Sequence, residues 1–195
     1  IEKICSIESK GIPTGERVLI KFRVKKDPLK TLSDLGCRDN TLNSFKKWIG
    51  FYQEEGPTIT KGLLIVSAPE NGGGLSTLWR CALSAADRFM RDFVAFEPDG
   101  SNETSVENIS INHYGAESGL EAIPTIEKAI LKEPDGFAVP EISDPAILET
   151  LCDQILTMDR MAVVSVNANS AAEALAKICA LGVSTQKIAE VFSCS

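Results

Sequence analysis

The residues best suited to chemistry in this chain are Pro69-Glu70-Asn71-Gly72-Gly73-Gly74-Leu75-Ser76-Thr77. Three consecutive glycines leave backbone N–H groups uncovered by side chains, and two hydroxyls follow where a helical rhythm begins. The first donors of a helix lack intrahelical acceptors and sit at the positive end of the peptide dipoles, so they favour an anion. The chemistry indicated is phosphate binding. The complete phosphate-loop motif, G-x-x-x-x-G-K-[ST], adds a lysine that reaches the β- and γ-phosphates and a hydroxyl that holds Mg²⁺. Aligned without gaps on Pro69 and Leu78, Gly74 takes the lysine position and Leu75 the hydroxyl position. Slid by one residue, Leu75 takes the lysine place and Ser76 keeps the hydroxyl. In both registers the lysine is missing. A glycine turn that joins strand to helix and binds nothing accounts for the same residues.

Carboxylates are the other candidates. Glu97 follows the apolar run Phe93–Phe96, and Glu141 follows Phe137–Val139. In open α/β sheets ligands bind outside the carboxyl ends of the strands. A carboxylate there orients an attacking water or holds Mg²⁺ through water, which makes Glu97 and Glu141 the candidate catalytic pair. Each taken alone reads first as a solvated loop residue; it is their position after separate strands that favours the catalytic reading. Asp144, just before Pro145, has the place of a helix N-cap. Asn167 and Asn169 either sense a phosphate or close a turn. The one histidine, His113, lies in a predicted exposed loop, and the six cysteines form no C-x-x-C pair, so no metal site is expected.

The elements that must position these residues alternate between strand and helix. Leu63-Leu64-Ile65-Val66 reads as a buried strand entering the glycine loop, and Ser76 to Asp92 as the helix leaving it, with Leu78, Ala82, Leu83, Ala86 and Phe89 on one side. Further strands are predicted at 18–24, 93–96, 109–112, 136–139 and 161–166. Helices are predicted at 41–52, 119–131, 145–156, 170–181 and 185–191. Residues 1–12 show only weak periodicity. Apolar strands alternating with helices predict an α/β fold, a mostly parallel sheet flanked by helices.

Composition narrows the class. Of 195 residues, 44% are hydrophobic and 24% charged, ordinary for a globular domain with a real core. Net charge is −7, so no general nucleic-acid surface is expected, and the basic run Lys21, Arg23, Lys25, Lys26 reads as a solvated strand face. No apolar run reaches membrane-spanning length and no signal peptide is recognised, which with the scattered cysteines predicts a reduced cytoplasmic setting. The abrupt start at Ile1 reads as a fragment boundary.

Taken in order, these motifs resemble the secretion ATPases of type II secretion and type IV pilus assembly, the GspE/PilB/PilT superfamily. Gly15-Glu16-Arg17-Val18-Leu19 is similar to the G-E-R-V-V strand closing that family's N-terminal domain, and Leu32-Ser33-Asp34-Leu35-Gly36 to its L-x-D-L-G linker. Gly62 to Pro69 resembles G-L-I-L-V-T-G-P, Phe96-Glu97-Pro98 the E-D-P of the Asp box, and Glu133 to Asp144 the atypical Walker B. Val163 to Asn169, Ala171, and Ala180 to Val183 resemble the His-box strand and helix. The resemblance implies a RecA-like P-loop NTPase fold over residues 31–195, short of the family's last helices, with 1–30 as the end of an N-terminal domain or a strand appendage. It implies a phosphate loop at Pro69 to Thr77 for ATP or ADP with Mg²⁺. It also implies secretion ATPase subunits or platform proteins as partners, a homo- or hetero-hexamer in the full-length protein, and a place at the inner membrane face through those partners.

The departures are as informative. Ala68 replaces the first loop glycine, Pro140 the Walker B glycine and Ser143 the arginine after it. Arg160 and Asn167 stand for the two histidines of the His box, Lys21 for an early arginine, and the Cys-rich zinc insertion of some members is missing. The expected protein is a degenerate motor domain, non-hydrolysing, with weak or no nucleotide binding. Its rivals are a working ATPase that borrows Arg80 or a neighbouring subunit's arginine, and an unrelated α/β domain with an empty turn.

Overall fold

The computed structural model describes residues 3–13, 15–24, 31–49, 61–70 and 72–194. The chain divides into two units, residues 1–30 and 31–195. In the first, β1 (Lys3–Ile12) pairs antiparallel with β2 (Gly15–Val24), with Ile7 opposite Ile20. The weak periodicity of residues 1–12 hides a strand, of which Ile7 is exposed, as are Val18, Leu19 and Ile20 of its partner. Lys25 and Lys26 lie outside the described residues.

The second unit holds the site. Its strands are β3 (Gly62–Ala68), β4 (Phe93–Pro98), β5 (Ile109–Tyr114), β6 (Gly136–Val139), β7 (Met161–Asn167) and the short β8 (Phe192–Cys194). They form one sheet in the order β5-β4-β6-β7-β3-β8, and every pairing is parallel. The expected α/β architecture is what the chain adopts. Parallel strands need crossovers that cover both faces, so the inner strands β3, β6 and β7 are mainly apolar and buried. Alternation along β3 divides the core: Leu63 and Ile65 face one layer, Leu64 and Val66 the other. The first layer is closed by α3 (Ala122–Ile130), α4 (Pro145–Met158), α5 (Ala171–Ala180) and α6 (Thr185–Val191). The second is closed by α1 (Asp39–Trp48) and α2 (Leu75–Ala85), with Trp79 and Leu83 fully buried. The predicted extension of α1 to residue 52 runs outside the described residues.

Several elements differ from expectation. Helix α2 ends at Ala85, not Asp92, because the Arg88 guanidinium turns back onto the Ser84 carbonyl and donates to the Glu107 carbonyl. Phe89, expected on the buried side, is therefore 63% exposed. His113 is exposed as expected, but it lies in β5 rather than in a loop. Strand β8 escapes sequence reading because it has three residues and, among the described residues, pairs only with β3.

The cysteines separate by environment. Cys37 is exposed, whereas Cys81 and Cys152 are buried, and burial pushes the Cys152 thiol up to about 11. Since the thiolate is the reactive species, iodoacetamide at about pH 8 should alkylate Cys37 and spare Cys152 until the protein unfolds. Peptide mapping of the native protein checks this; early labelling of Cys152 would contradict its placement in the α4 core.

Candidate functional site

The carboxyl ends of β3, β4, β6 and β7 bring the candidate residues to one edge of the sheet. After β3 the chain turns through Pro69 and Glu70 to Gly72-Gly73-Gly74 and enters α2 at Leu75. Asn71 lies outside the described residues. The loop folds back on its own start: a Cβ at Gly73 would sit 2.2 Å from the Pro69 carbonyl oxygen. Only glycine permits that approach. Gly74 is the N-cap, with φ 76° in the left-handed region, and no side chain among the described residues caps the helix. The first helical hydrogen bond runs from the Leu78 N–H to the Gly74 carbonyl, 2.9 Å. The N–H groups of Leu75, Ser76 and Thr77 therefore have no intrahelical acceptor, and the hydroxyl residues Ser76 and Thr77 are exposed beside them.

This geometry bears on the register left open by the sequence. The motif's second glycine directly precedes the lysine. Gly74 lies immediately before the helix with left-handed backbone, φ 76°. In the slid register Leu75 takes the lysine position and Ser76 the hydroxyl position; in the gapless one Gly74 and Leu75 do. Leu75 is half-buried against the α2 side of the core.

Glu141 follows β6 across the edge. Its backbone is left-handed, φ 47°, where a non-glycine residue is strained by roughly 1–2 kcal/mol. Buried Ser165 of β7 holds it there: the Ser165 hydroxyl accepts the Glu141 N–H at 2.8 Å, and the Ser165 carbonyl accepts the Ile142 N–H at 3.0 Å. Glu141, Ser165, Leu75 and Ser76 line one small cleft, so the strained glutamate faces the first turn of α2. Glu141→Gly should relieve the strain and raise stability by about 1 kcal/mol while removing the carboxylate. A denaturant midpoint that falls instead would show that Glu141 carries packing or charge contacts outweighing its backbone.

Glu97 has a different environment. It is 0% exposed, and its two carboxylate oxygens accept the N–H groups of Glu103 at 3.0 Å and Thr104 at 2.5 Å. The Thr104 hydroxyl in turn accepts from Trp79 Nε1 at 3.1 Å. Arg80 donates to the carbonyls of Glu103 (2.9 Å) and Asn102 (3.0 Å). The loop after β4 is thus tied to β4 by Glu97 and to α2 by Trp79 and Arg80. Arg80, considered as a substitute for the loop lysine, is spent on this tether. Nothing in the sequence marked Thr104, Trp79 or Ser165; they are ordinary residues until the sheet brings them together.

Next to Glu141 a second cleft of about 260 Å³ runs between the ends of β4 and β6 and the start of α4, with Tyr114, Glu103 and Asp144 on its walls. Burial raises the Tyr114 hydroxyl above its usual range, and the Asp144 and Glu97 charges add to the shift. Asp144 caps α4 by accepting the Ala146 N–H at 2.8 Å. Neither cleft is lined by a lysine or arginine among the described residues. Asn167 ends β7 opposite Ala68, and its carbonyl accepts from Lys177 Nζ at 2.7 Å. Asn169 closes a turn, giving both its N–H and its side-chain amide to Glu173. Arg160 does not join the site. It precedes β7 at the opposite edge, bonded to Gln154 and stacked over Phe137. Among the described residues no group of three or more His, Cys, Asp or Glu is placed to hold a metal, and no helix is long and apolar enough to cross a membrane.

No protein-family model matches the chain, and no curated protein matches its sequence. Solved structures do. The ATPase DotB of Legionella pneumophila superposes with a TM-score of 0.63 at 14% identity, over 95% of this chain and 50% of that one. The pilus retraction motor PilT, solved with bound ADP, gives 0.58 at 16% identity, over 96% and 56%. The VirB11 ATPase of the Brucella suis type IV secretion system, solved with sulphate, gives 0.54 at 10% identity, over 93% and 64%. The chain spans about half to two thirds of the length of these proteins. It shares the α/β, P-loop NTPase-like fold of these solved ATPases.

Proposed function

We propose that the chain is a degenerate secretion- or pilus-motor domain, a non-hydrolysing structural or regulatory subunit of a secretion or pilus-assembly machine. The observation that carries the reading is Leu75 at the first helical position of an otherwise phosphate-loop-like turn, with no lysine or arginine lining the adjoining clefts among the described residues. A triphosphate held by N–H groups alone keeps most of its charge unneutralised, and phosphoryl transfer depends on that neutralisation. ATP or ADP would bind weakly and gain little from Mg²⁺. Glu141 is the carboxylate placed to act on such a ligand; Glu97 serves as a pin for its loop. Pro69, Glu70, Asn71 and Gly72 to Thr77 form the binding segment. Related ATPase subunits or platform proteins are the partners in this reading, and the full-length protein belongs to an oligomer at the cytoplasmic face of a membrane. ADP on PilT and sulphate on VirB11 support an anion-binding role for the fold.

The second reading is an active motor, favoured by the cleft that Glu141 shares with Ser76. With Arg80 occupied, its cation would have to come from a neighbouring subunit. Purified protein incubated with Mg-ATP discriminates the two. The proposal expects no turnover above background and no change on Glu141→Gln. Turnover abolished by that substitution would establish the motor instead.

A further inference from the structure

The two edges of the sheet are unequal. At one end β8 has three residues, short enough to offer little backbone for pairing. At the other end β5 runs for six, Ile109-Ser110-Ile111-Asn112-His113-Tyr114, and pairs only with β4 among the described residues. Natural edge strands protect themselves with lysine, proline, an inward charge or a bulge. Strand β5 has no proline, no Lys, Arg, Asp or Glu, and its register with β4 is unbroken. Beside it α3 packs against β4 and β5 and leaves a groove of about 450 Å³. Ile111, Leu120 and Pro124 give the groove its apolar lining, and Lys128 and Lys132 of the α3 end stand over it against the single carboxylate of Glu121. A cationic groove is unusual ground on a chain of net charge −7.

We propose that the outer edge of β5, with the groove it shares with α3, receives an extended acidic segment of a partner protein as an added strand. Main-chain hydrogen bonds to the unguarded edge give such a strand its affinity, alternate apolar side chains fill the groove, and carboxylates meet Lys128 and Lys132. A second copy of this chain fits less well. Two β5 edges paired about a twofold axis would bring the lysines of both α3 helices together, like charge on like. The inference is independent of nucleotide binding, since the groove lies outside the loop and the two clefts described above.

The test uses the whole chain and a fluorescein-labelled octapeptide of alternating glutamate and valine, with its lysine–valine counterpart as control. The glutamate peptide should bind by anisotropy and the lysine peptide should not. The double substitution Lys128→Glu, Lys132→Glu, on exposed side chains, should weaken binding by at least about tenfold. N-methylation of alternate peptide residues, which leaves the charges in place, should abolish it. Hydrogen exchange should slow at residues 109–114 on binding. Equal binding of both peptides, indifference to the double substitution, or no protection at 109–114 would each overturn the proposal. Concentration-dependent protection of β5 without peptide would overturn it in favour of a second copy.

Discussion

Glu97→Ala should destabilise the α/β unit by about 3 kcal/mol, because it strips the acceptors from two backbone N–H groups and leaves a void in a sealed interior. For a unit of this size that is a fall in melting temperature of roughly 6–12 °C. Glu97→Gln keeps the shape but turns an amide toward an N–H donor, and should cost about 2 kcal/mol. The size of the effect follows from the network: Glu97 holds the N–H groups of Glu103 and Thr104, and Thr104 in turn receives the Trp79 indole. Losing the pin would loosen the loop that also accepts from Arg80. A glutamate solvated in a loop would change stability by no more than about 0.5 kcal/mol on the same substitution. Chemical denaturation of the three proteins decides between the roles, and an unchanged midpoint would restore Glu97 as a free carboxylate available for chemistry.

Leu75→Lys should increase affinity for ATP by about ten- to a hundredfold, the range of a hydrogen bond between charged groups. The slid register sets this expectation, since Leu75 is the first residue of α2 and its flanking N–H groups already form the cradle. Removing Leu75 from the core lowers stability somewhat, as its side chain is only half-buried. Gly74→Lys, the substitution that the gapless register recommends, should fail. It forces a lysine into left-handed backbone at φ 76° and costs roughly 1 kcal/mol or more without placing the charge. If Gly74→Lys gains affinity and Leu75→Lys does not, the register is wrong and the loop must be realigned.

Much of this architecture was legible because it follows periodicity. Strands β3, β6 and β7 are buried on both faces, so their apolar runs stand out from the helices between them. Helix α4 showed its start through Asp144 and Pro145, and the structure gives Asp144 the capping bond expected of it. The glycine loop was legible as a cradle because Gly73 and Gly74 answer to local backbone needs, a close approach and a positive φ. What the sequence concealed depends on contacts between distant residues. Strand β1 is recognised by its pairing with β2, and the early end of α2 is set by Arg88 reaching Ser84 and Glu107. Glu97 and Glu141 look alike in sequence, each a glutamate after a strand. Burial separates them: one is sealed by two N–H donors, the other stands exposed beside Ser76 on strained backbone.

The central claim is electrostatic: the loop has kept the backbone donors of a phosphate site while an apolar side chain stands where fixed positive charge belongs. Calorimetric titration of the purified chain with ATP, with and without Mg²⁺, tests it most directly. Binding should be weak, little altered by Mg²⁺, and stronger in Leu75→Lys. Sub-micromolar affinity that requires Mg²⁺ in the unsubstituted protein would contradict it.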